Sequence, residues 1–269
     1  MTDTFPLSTR HFSPTPPRES LLARGLEPFI SGLWILYLLV SLLIAAVWTF
    51  GIGEGSLEKG ISNPDLRATL VLLLAHADLG WITLAAANVY FSLAGSLGLA
   101  TARRWALLIL GSVIAFAWLS VAAGLPLGAI RYGAALGLKF GPVPLGLPLL
   151  WFSVIIGARE ALVRCWPRLG HAALAAGVGG VALLTDLNLE PLAAKWRGYW
   201  FWQAASPALP PVFDPPITGS IAWGVLAAVI AFGLREREVV ASTQKRGWKP
   251  VVVLAIFWAV FLAAHATHR

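Results

Sequence analysis

Long apolar runs separated by short polar segments dominate the chain. A membrane-spanning helix needs about 20 apolar residues, because each residue adds about 1.5 Å along the helix axis. Seven candidate spans lie at about residues 28–50, 69–100, 105–124, 143–162, 170–189, 216–234 and 249–267. The pattern predicts an all-α fold, a polytopic membrane bundle of about seven transmembrane helices, with residues 28–269 as a single domain.

The second apolar run is too long for one ordinary span and contains the polar insertion His76-Ala77-Asp78-Leu79-Gly80. Two interpretations remain open: a short helix followed by a span, or one span with a long extension. The stretch at 124–144 is rich in Gly and Pro, which favours a re-entrant or surface loop.

The first 27 residues differ from the rest of the chain. They are polar and contain several prolines, and they lack the short apolar core and cleavage site of a signal peptide. Residues 1–27 are therefore predicted to be a disordered polar N-terminal tail.

Composition supports a membrane protein. Of the 269 residues, 58% are hydrophobic and 12% are charged, whereas soluble domains are about 25% charged. The single cysteine, Cys165, excludes an internal disulfide and a cysteine-based metal site. The net charge of +7 is assigned to contact with anionic membrane lipid and not with nucleic acid, because the basic residues lie between apolar runs.

The distribution of Lys and Arg predicts the orientation. With the N-terminus inside, 13 of the 20 basic residues fall on the inner side and 7 on the outer side, as the positive-inside rule requires. We expect an integral protein of the cytoplasmic (inner) membrane with a cytoplasmic N-terminus. The loops at 125–142 and 190–215 then lie on the same side, where they can close one pocket.

Asp186 and Glu190 are the strongest candidates for catalytic residues. They stand four positions apart, so a helix presents both on one face. Carboxylates at membrane depth are costly and are functional candidates by default, and a close pair can share one proton. The alternative places Glu190 among lipid headgroups, paired with Lys195 or Arg197, and has Asp186 cap a neighbouring helix.

The chain has 13 tryptophans, and two of them follow the carboxylates directly. Trp200 and Trp202 are predicted to contact substrate, because an indole face stabilises positive charge. Most others are expected at the membrane interfaces. This interfacial group includes Trp34, Trp48, Trp105, Trp166, Trp248 and Trp258.

His76 and Asp78 are candidates for proton delivery or for polarity at the substrate site, and the alternative is a hydrogen-bonded helix break. Two positions apart, they do not share a helix face. No histidine pairs with an acidic residue at ligand spacing, so no metal site is predicted. The sequence also lacks an Asp-x-x-x-Asp motif, which argues against a prenyltransferase that binds a magnesium diphosphate.

Three blocks of sequence resemble the integral-membrane carotenoid biosynthesis proteins that include carotenoid 1′,2′-hydratases and bisanhydrobacterioruberin hydratase. The resemblance covers roughly residues 70–235. The blocks are Gly124-Leu-Pro-Leu-Gly128-Ala-Ile-Arg-Tyr132 with Leu136-Gly137, then Val143-Pro144 through Pro148-Leu149-Leu150-Trp151, and Asp186-x-x-x-Glu190-Pro191 with Gly198-x-Trp200-x-Trp202, Pro216 and Trp223. Where the family pattern has Glu, Asp and Asn, this chain has Ala117, Glu190 and Gly219.

The resemblance implies an enzyme that needs no cofactor and acts on a carotenoid or other long isoprenoid. A carboxylic acid would protonate a terminal C=C of an acyclic end group, and water would add to the tertiary cation to give a tertiary alcohol. Asp186 and Glu190 would be catalytic, and Trp200 and Trp202 would stabilise the cation. Arg131 and Tyr132 would bind the hydroxyl end or fix a carboxylate.

Two alternatives to hydration remain open at this point. The first is another carotenoid end-group modification by the same cation chemistry, such as isomerisation. The second is a carotenoid- or lipid-binding membrane protein without catalysis. Replacing Asp186 separates the classes, because a binding protein would keep its pigment.

Overall fold

The structure is a computed structural model that describes residues 19–52, 60–124, 127, 130–202, 217–234 and 247–267. Seven helices of at least 17 residues lie in these ranges. They are α1 (Glu19–Thr49), α2 (Pro64–Leu97), α3 (Leu99–Ala123), α4 (Gly146–Cys165), α5 (His171–Pro191), α6 (Ile217–Gly233) and α7 (Lys249–Thr267). Six are long and apolar enough to span a membrane, and α6 is a shorter apolar helix. The predicted helical membrane bundle is confirmed.

Helix α1 begins earlier than its apolar run. It starts at Glu19, inside the segment predicted to be a polar tail, and it includes Pro28. Residues 19–27 contain Leu, Ala, Arg and Glu, which are good helix formers and carry the helix past the apolar boundary. The remaining part of the predicted tail, residues 1–18, lies outside the described residues.

Helix α2 is one continuous helix of 34 residues. The side chain of Asn63 caps its start by accepting the backbone N–H groups of Asp65 and Leu66, and Gly98 ends it with a positive φ of 85°. The interpretation of one span with a long extension is therefore correct, and the polar insertion at 76–80 does not interrupt the helix. The buried residues of α2 begin only at Asp78.

Helix α4 is the central helix of the bundle. In its most apolar stretch of 18 residues, 83% of the residues are buried, against 22–39% in the corresponding stretches of the five other long helices. Helices α2, α3, α5 and α7 pack around it. Because α4 touches protein on almost every side, its polar residues must find partners inside the bundle.

Helices α5 and α6 form the closest helix pair. A Cβ atom on Gly179 would lie 2.7 Å from the carbonyl oxygen of Gly224 and 2.8 Å from the Cβ of Ala228. A Cβ atom on Gly224 would likewise lie 2.9 Å from the Cβ of Leu183. Small residues thus allow the two backbones to approach, which is the usual basis of tight helix packing in membranes.

Within the described ranges, four short strands lie at the end of the bundle where α3 and α5 finish. They are β1 (Ile130–Tyr132), β2 (Lys139–Phe140), β3 (Val143–Pro144) and β4 (Trp200–Trp202). Strand β2 pairs with β3 as a small hairpin, and β1 pairs antiparallel with β4, with Tyr132 opposite Trp200 and Ile130 opposite Trp202. We call the β1–β4 pair the ribbon. It confirms that the loops after α3 and α5 share one side, although no strand was predicted.

Substituting Gly179 tests the close approach of α5 and α6. Gly179→Ala should lower the stability of the purified protein by about 1–3 kcal/mol, because the added methyl group overpacks a backbone contact. Thermal unfolding in detergent measures the change. Gly180→Ala is the matched control, because a Cβ there meets no atom within 4 Å. Equal melting temperatures for the two variants would contradict the described packing.

Reporter fusions test the orientation. Truncated chains fused after Gly124, Arg168 and Trp202 should report outside, inside and outside, because one span separates each position from the next and the basic residues favour an inner N-terminus. Activity of paired phosphatase and fluorescent-protein reporters is the measurement. The same side for Gly124 and Arg168 would show that α4 does not cross the membrane.

Candidate active site

The last two turns of α5 carry both candidate carboxylates into the bundle. Asp186 is 1% exposed and Glu190 is 4% exposed. Pro191 ends the helix, and the chain continues as one π-helical turn at Leu192–Trp196. Such turns are common at functional sites. Here the turn leads directly into the ribbon.

Glu190 is bound by the indole edges of two tryptophans on β4. Nε1 of Trp200 donates to both carboxylate oxygens at 3.0 Å, and Nε1 of Trp202 donates to Oε1 at 2.5 Å. The alternative that Glu190 pairs with Lys195 or Arg197 is wrong. Lys195 is exposed and Arg197 binds another carboxylate. The indole N–H groups take the place of the expected Lys or Arg partner, because they lie inside the bundle within hydrogen-bond distance of the carboxylate.

Within the described residues, Asp186 is bound on one oxygen only. The hydroxyl of Ser220 on α6 donates to its Oδ2 at 2.7 Å, whereas Oδ1 is buried and has no hydrogen-bond partner there. The described partner of Asp186 is thus a side-chain hydroxyl and not the backbone N–H group of a helix start. Ser220 was not predicted, although it lies one turn before Trp223 in an otherwise apolar run. The free oxygen leaves Asp186 able to bind a further group.

Tyr132 brings a hydroxyl group to the same place. It is 7% exposed, and its hydroxyl oxygen has no hydrogen-bond partner in the part of the chain that the structure describes. Burial raises the pKa of Tyr132, and the carboxyl groups of Asp186 and Glu190 raise this pKa further when they are ionised. The tyrosine thus stays a neutral hydroxyl close to two carboxylates. Tyr132, Asp186, Glu190, Trp200 and Trp202 form one group of side chains, which we call the carboxylate site.

Arg131 and His76, both predicted to bind substrate, lie away from the carboxylate site. Arg131 sits between two buried residues of β1 and is exposed, because neighbouring residues in a strand point to opposite faces. His76 is exposed on α2 although Asp78 is buried, because positions two apart lie on different sides of a helix.

Asp78 occupies a second polar cluster. It is 1% exposed, and its Oδ2 accepts Nε of Arg197 at 2.8 Å and a second guanidinium nitrogen. Its Oδ1 accepts Nε1 of Trp48 on α1 at 3.1 Å. Asp78 thus binds protein groups with both oxygens and does not face the carboxylate site directly. Neither Arg197 nor Trp48 was predicted as its partner.

A third polar cluster lies near the far end of α4. Arg159 and Glu160, each 4% exposed, form an ion pair of 3.1 Å, and the guanidinium lies 4.7 Å from the ring centre of Trp105. Arg159 is one of the 13 basic residues that the predicted orientation places on the inner side, but it is buried. The adjacent Arg159 and Glu160 within an apolar run are the feature of the sequence that could have indicated this buried ion pair.

The tryptophans that were predicted at the membrane interfaces differ in their exposure. Trp166 and Trp248 are 59% and 54% exposed. Trp48 and Trp105, by contrast, are buried in the polar clusters described above. Trp258 is partly buried, and its Nε1 donates to Thr185 at 3.0 Å. Indole groups with internal N–H partners cannot be separated from interfacial ones by composition alone.

No curated protein and no solved structure matches the sequence. The sequence profile of the carotenoid biosynthesis protein family matches residues 77–268, which is most of the chain and includes all five residues of the carboxylate site. The chain therefore belongs to the carotenoid biosynthesis protein family.

Proposed function

We propose that the protein is an enzyme that hydrates the terminal C=C of an acyclic carotenoid end group to a tertiary alcohol. One observation carries the proposal: two buried carboxyl groups on successive turns of α5 have different partners. Glu190 is held by two N–H donors, whereas one oxygen of Asp186 finds no partner among the described residues. Acid–base chemistry on an alkene needs such a pair, one group to give a proton and one to remain an anion.

The reaction divides between the two carboxyl groups. Asp186 donates its proton to the less substituted carbon of the terminal double bond, and the π electrons form the new C–H bond. This leaves a tertiary cation and the Asp186 carboxylate. Water adds to the cation through its oxygen. The resulting oxonium ion loses one proton to a carboxylate, so the sum of the steps is addition of one water molecule.

Two N–H donors suit Glu190 to the anionic role. Hydrogen bonds to an ionised acceptor are stronger than those between neutral groups, and a fixed anion stabilises a nearby developing cation. This assigns a role to Trp200 and Trp202 that differs from the sequence-based expectation. Their N–H edges fix the anion, whereas a purely aromatic wall would use only their ring faces.

Tyr132 is suited to hold the water molecule. Its hydroxyl is a buried neutral donor and acceptor, and the residue lies opposite Trp200, which binds Glu190. A water bound there can pass its proton to Glu190, and the tyrosine hydroxyl can return that proton to Asp186 for the next turnover. The enzyme then needs no external acid in the cycle.

The surroundings of the site suit a polyene. One turn beyond Ser220, the ring of Trp223 stacks on that of Trp151. The ring centres are 4.4 Å apart, and the centre of the Phe116 ring lies 4.9 Å from that of Trp223. A Cβ atom on Gly219 would lie 3.0 Å from the ring of Trp202. The carboxylate site is thus a polar end beside an apolar, aromatic interior, as a terminal double bond on a long apolar chain requires.

Replacement of Asp186 tests the acid. Asp186→Asn should reduce hydration by about 10²–10⁴-fold, the usual contribution of a general acid, while the amide oxygen can still accept the Ser220 hydroxyl. The assay is expression in a host that makes acyclic carotenoids, with mass spectrometry of pigments for addition of one water.

Asp65→Asn is the control, because Asp65 is exposed on the first turn of α2. Unchanged hydration by Asp186→Asn would contradict the proposal. A pigment of unchanged mass but altered absorption, made by the native enzyme, would favour isomerisation. Unmodified pigment that purifies with the protein would favour a binding role.

Replacement of Trp202 tests the anion. Trp202→Phe keeps an aromatic ring but removes one N–H donor to Glu190. A hydrogen bond to a charged group is worth about 1.5–3 kcal/mol, so hydration should fall by about 10–100-fold. Trp166→Phe is the matched control, because Trp166 is exposed at the end of α4. Equal rates for the two variants at equal expression would show that the N–H donor has no role.

A further inference from the structure

We infer that Asp78 and Arg197 are positioning residues for the carboxylate site. Their ion pair fixes the start of β4, and β4 in turn presents the two indole N–H groups to Glu190. We call Trp48, Asp78 and Arg197 the Asp78 clamp. The inference rests on the proposed function for its effect on catalysis, but the coupling between the clamp and β4 is testable without activity.

The contacts of the Asp78 clamp suit it to fix the position of Arg197 and not to bind substrate. Both carboxylate oxygens of Asp78 accept protein donors, and the guanidinium of Arg197 lies 5.6 Å from the ring centre of Trp48. A buried charge needs such partners, since an unpaired one is strongly unfavourable. Any displacement of Arg197 would leave Asp78 without its counter-charge, so the position of Arg197 is strongly determined.

The path from Arg197 to Glu190 is short and constrained. Gly198 follows with a positive φ of 60°, and the backbone N–H of Tyr199 donates to the carbonyl of Ala193 at 2.8 Å. Trp200 comes next and donates to Glu190. Only two residues, Gly198 and Tyr199, therefore separate the ion pair from the indole that binds the carboxylate.

The ribbon prevents this segment from moving independently. The backbone N–H of Gly133 donates to the carbonyl of Tyr199 at 2.8 Å. A Cβ atom at Gly133 would lie only 1.9 Å from the carbonyl oxygen of Gly198, so β1 and the start of β4 are in direct backbone contact. A shift at Arg197 is thus transmitted to both sides of the carboxylate site.

Tyr199 lies within electrostatic range of the Asp78 clamp. Burial raises the pKa of Tyr199, and the negative charge of Asp78 raises this pKa further. Its ring lies 6.3 Å from Trp48 and 6.1 Å from Trp200. Tyr199 therefore packs between the Asp78 clamp and the carboxylate site, which makes the two clusters one connected unit.

The Asp78 clamp also joins α1 to the site. Trp48 belongs to α1, which precedes the residues that match the family profile. Asp78 and Arg197 are separated by 119 positions in the sequence. Through these contacts, the first two helices set the position of a segment that follows the fifth.

Fluorine NMR with 5-fluorotryptophan tests the coupling directly. The Trp200 and Trp202 signals are assigned with Trp→Phe variants and by their response to Glu190→Gln. Arg197→Lys keeps the charge but loses the fork of N–H donors, and it should shift both signals. The Trp166 signal should not move. Arg131→Lys, an exposed residue of the ribbon, is the matched control and should leave all three signals in place.

Kinetics test the consequence for catalysis. Arg197→Lys and Asp78→Asn should lower kcat about 10-fold and leave KM within about 2-fold, because neither residue touches substrate. Combined with Trp202→Phe, the loss from Arg197→Lys should be smaller than the product of the two single losses, because both act on Glu190.

The outcomes are distinguishable. Unshifted Trp200 and Trp202 signals in Arg197→Lys would overturn the inference, and so would a changed KM with an unchanged kcat, or fully multiplicative losses in the double variant. If Asp78→Asn does not accumulate in membranes, Arg197→Lys still decides the question. If Asp186→Asn retains hydration, the proposed function fails, whereas the fluorine spectra still decide whether the Asp78 clamp positions β4.

Discussion

An ionisable group inside a membrane protein must find its hydrogen-bond partners in the protein itself, and this constraint shapes the end of the bundle around α5. Glu190 satisfies this constraint by accepting hydrogen bonds from two tryptophans that lie beyond the helix on β4. For those indoles to reach back, α5 must end at Pro191, turn sharply and enter a strand. That strand needs a partner for its own backbone, which β1 supplies. The π-helical turn and the ribbon thus follow from the placement of one carboxylate.

The three polar clusters use tryptophan in a way that the aromatic composition alone does not indicate. In two of them an indole N–H binds a carboxylate, Trp48 at Asp78 and the pair on β4 at Glu190. In the third, the ring face of Trp105 lies against a buried guanidinium. An indole can place a donor inside an apolar bundle without adding a charge, so it satisfies a buried anion at a small cost in desolvation.

Local patterns in the sequence predicted the features that depend on local structure. Apolar run length predicted the helices, and the four-residue spacing predicted that Asp186 and Glu190 share a face. The same approach failed where partners are distant in the sequence. Arg197 binds Asp78 from 119 positions away and Ser220 binds Asp186 from 34. Strands of two or three residues carry no periodicity, so the exposed direction of Arg131 could not be predicted either.

The antiparallel pairing of β1 with β4 has a consequence for biosynthesis. Strand β1 leaves the ribosome before α4 and α5, whereas its partner follows both of them. Until β4 emerges, the backbone of β1 has no strand to bind and Glu190 has neither indole. The site therefore cannot form stepwise as each helix inserts, and it assembles only after five helices are in place. A chain interrupted before Trp200 would contain most of the bundle but no carboxylate site.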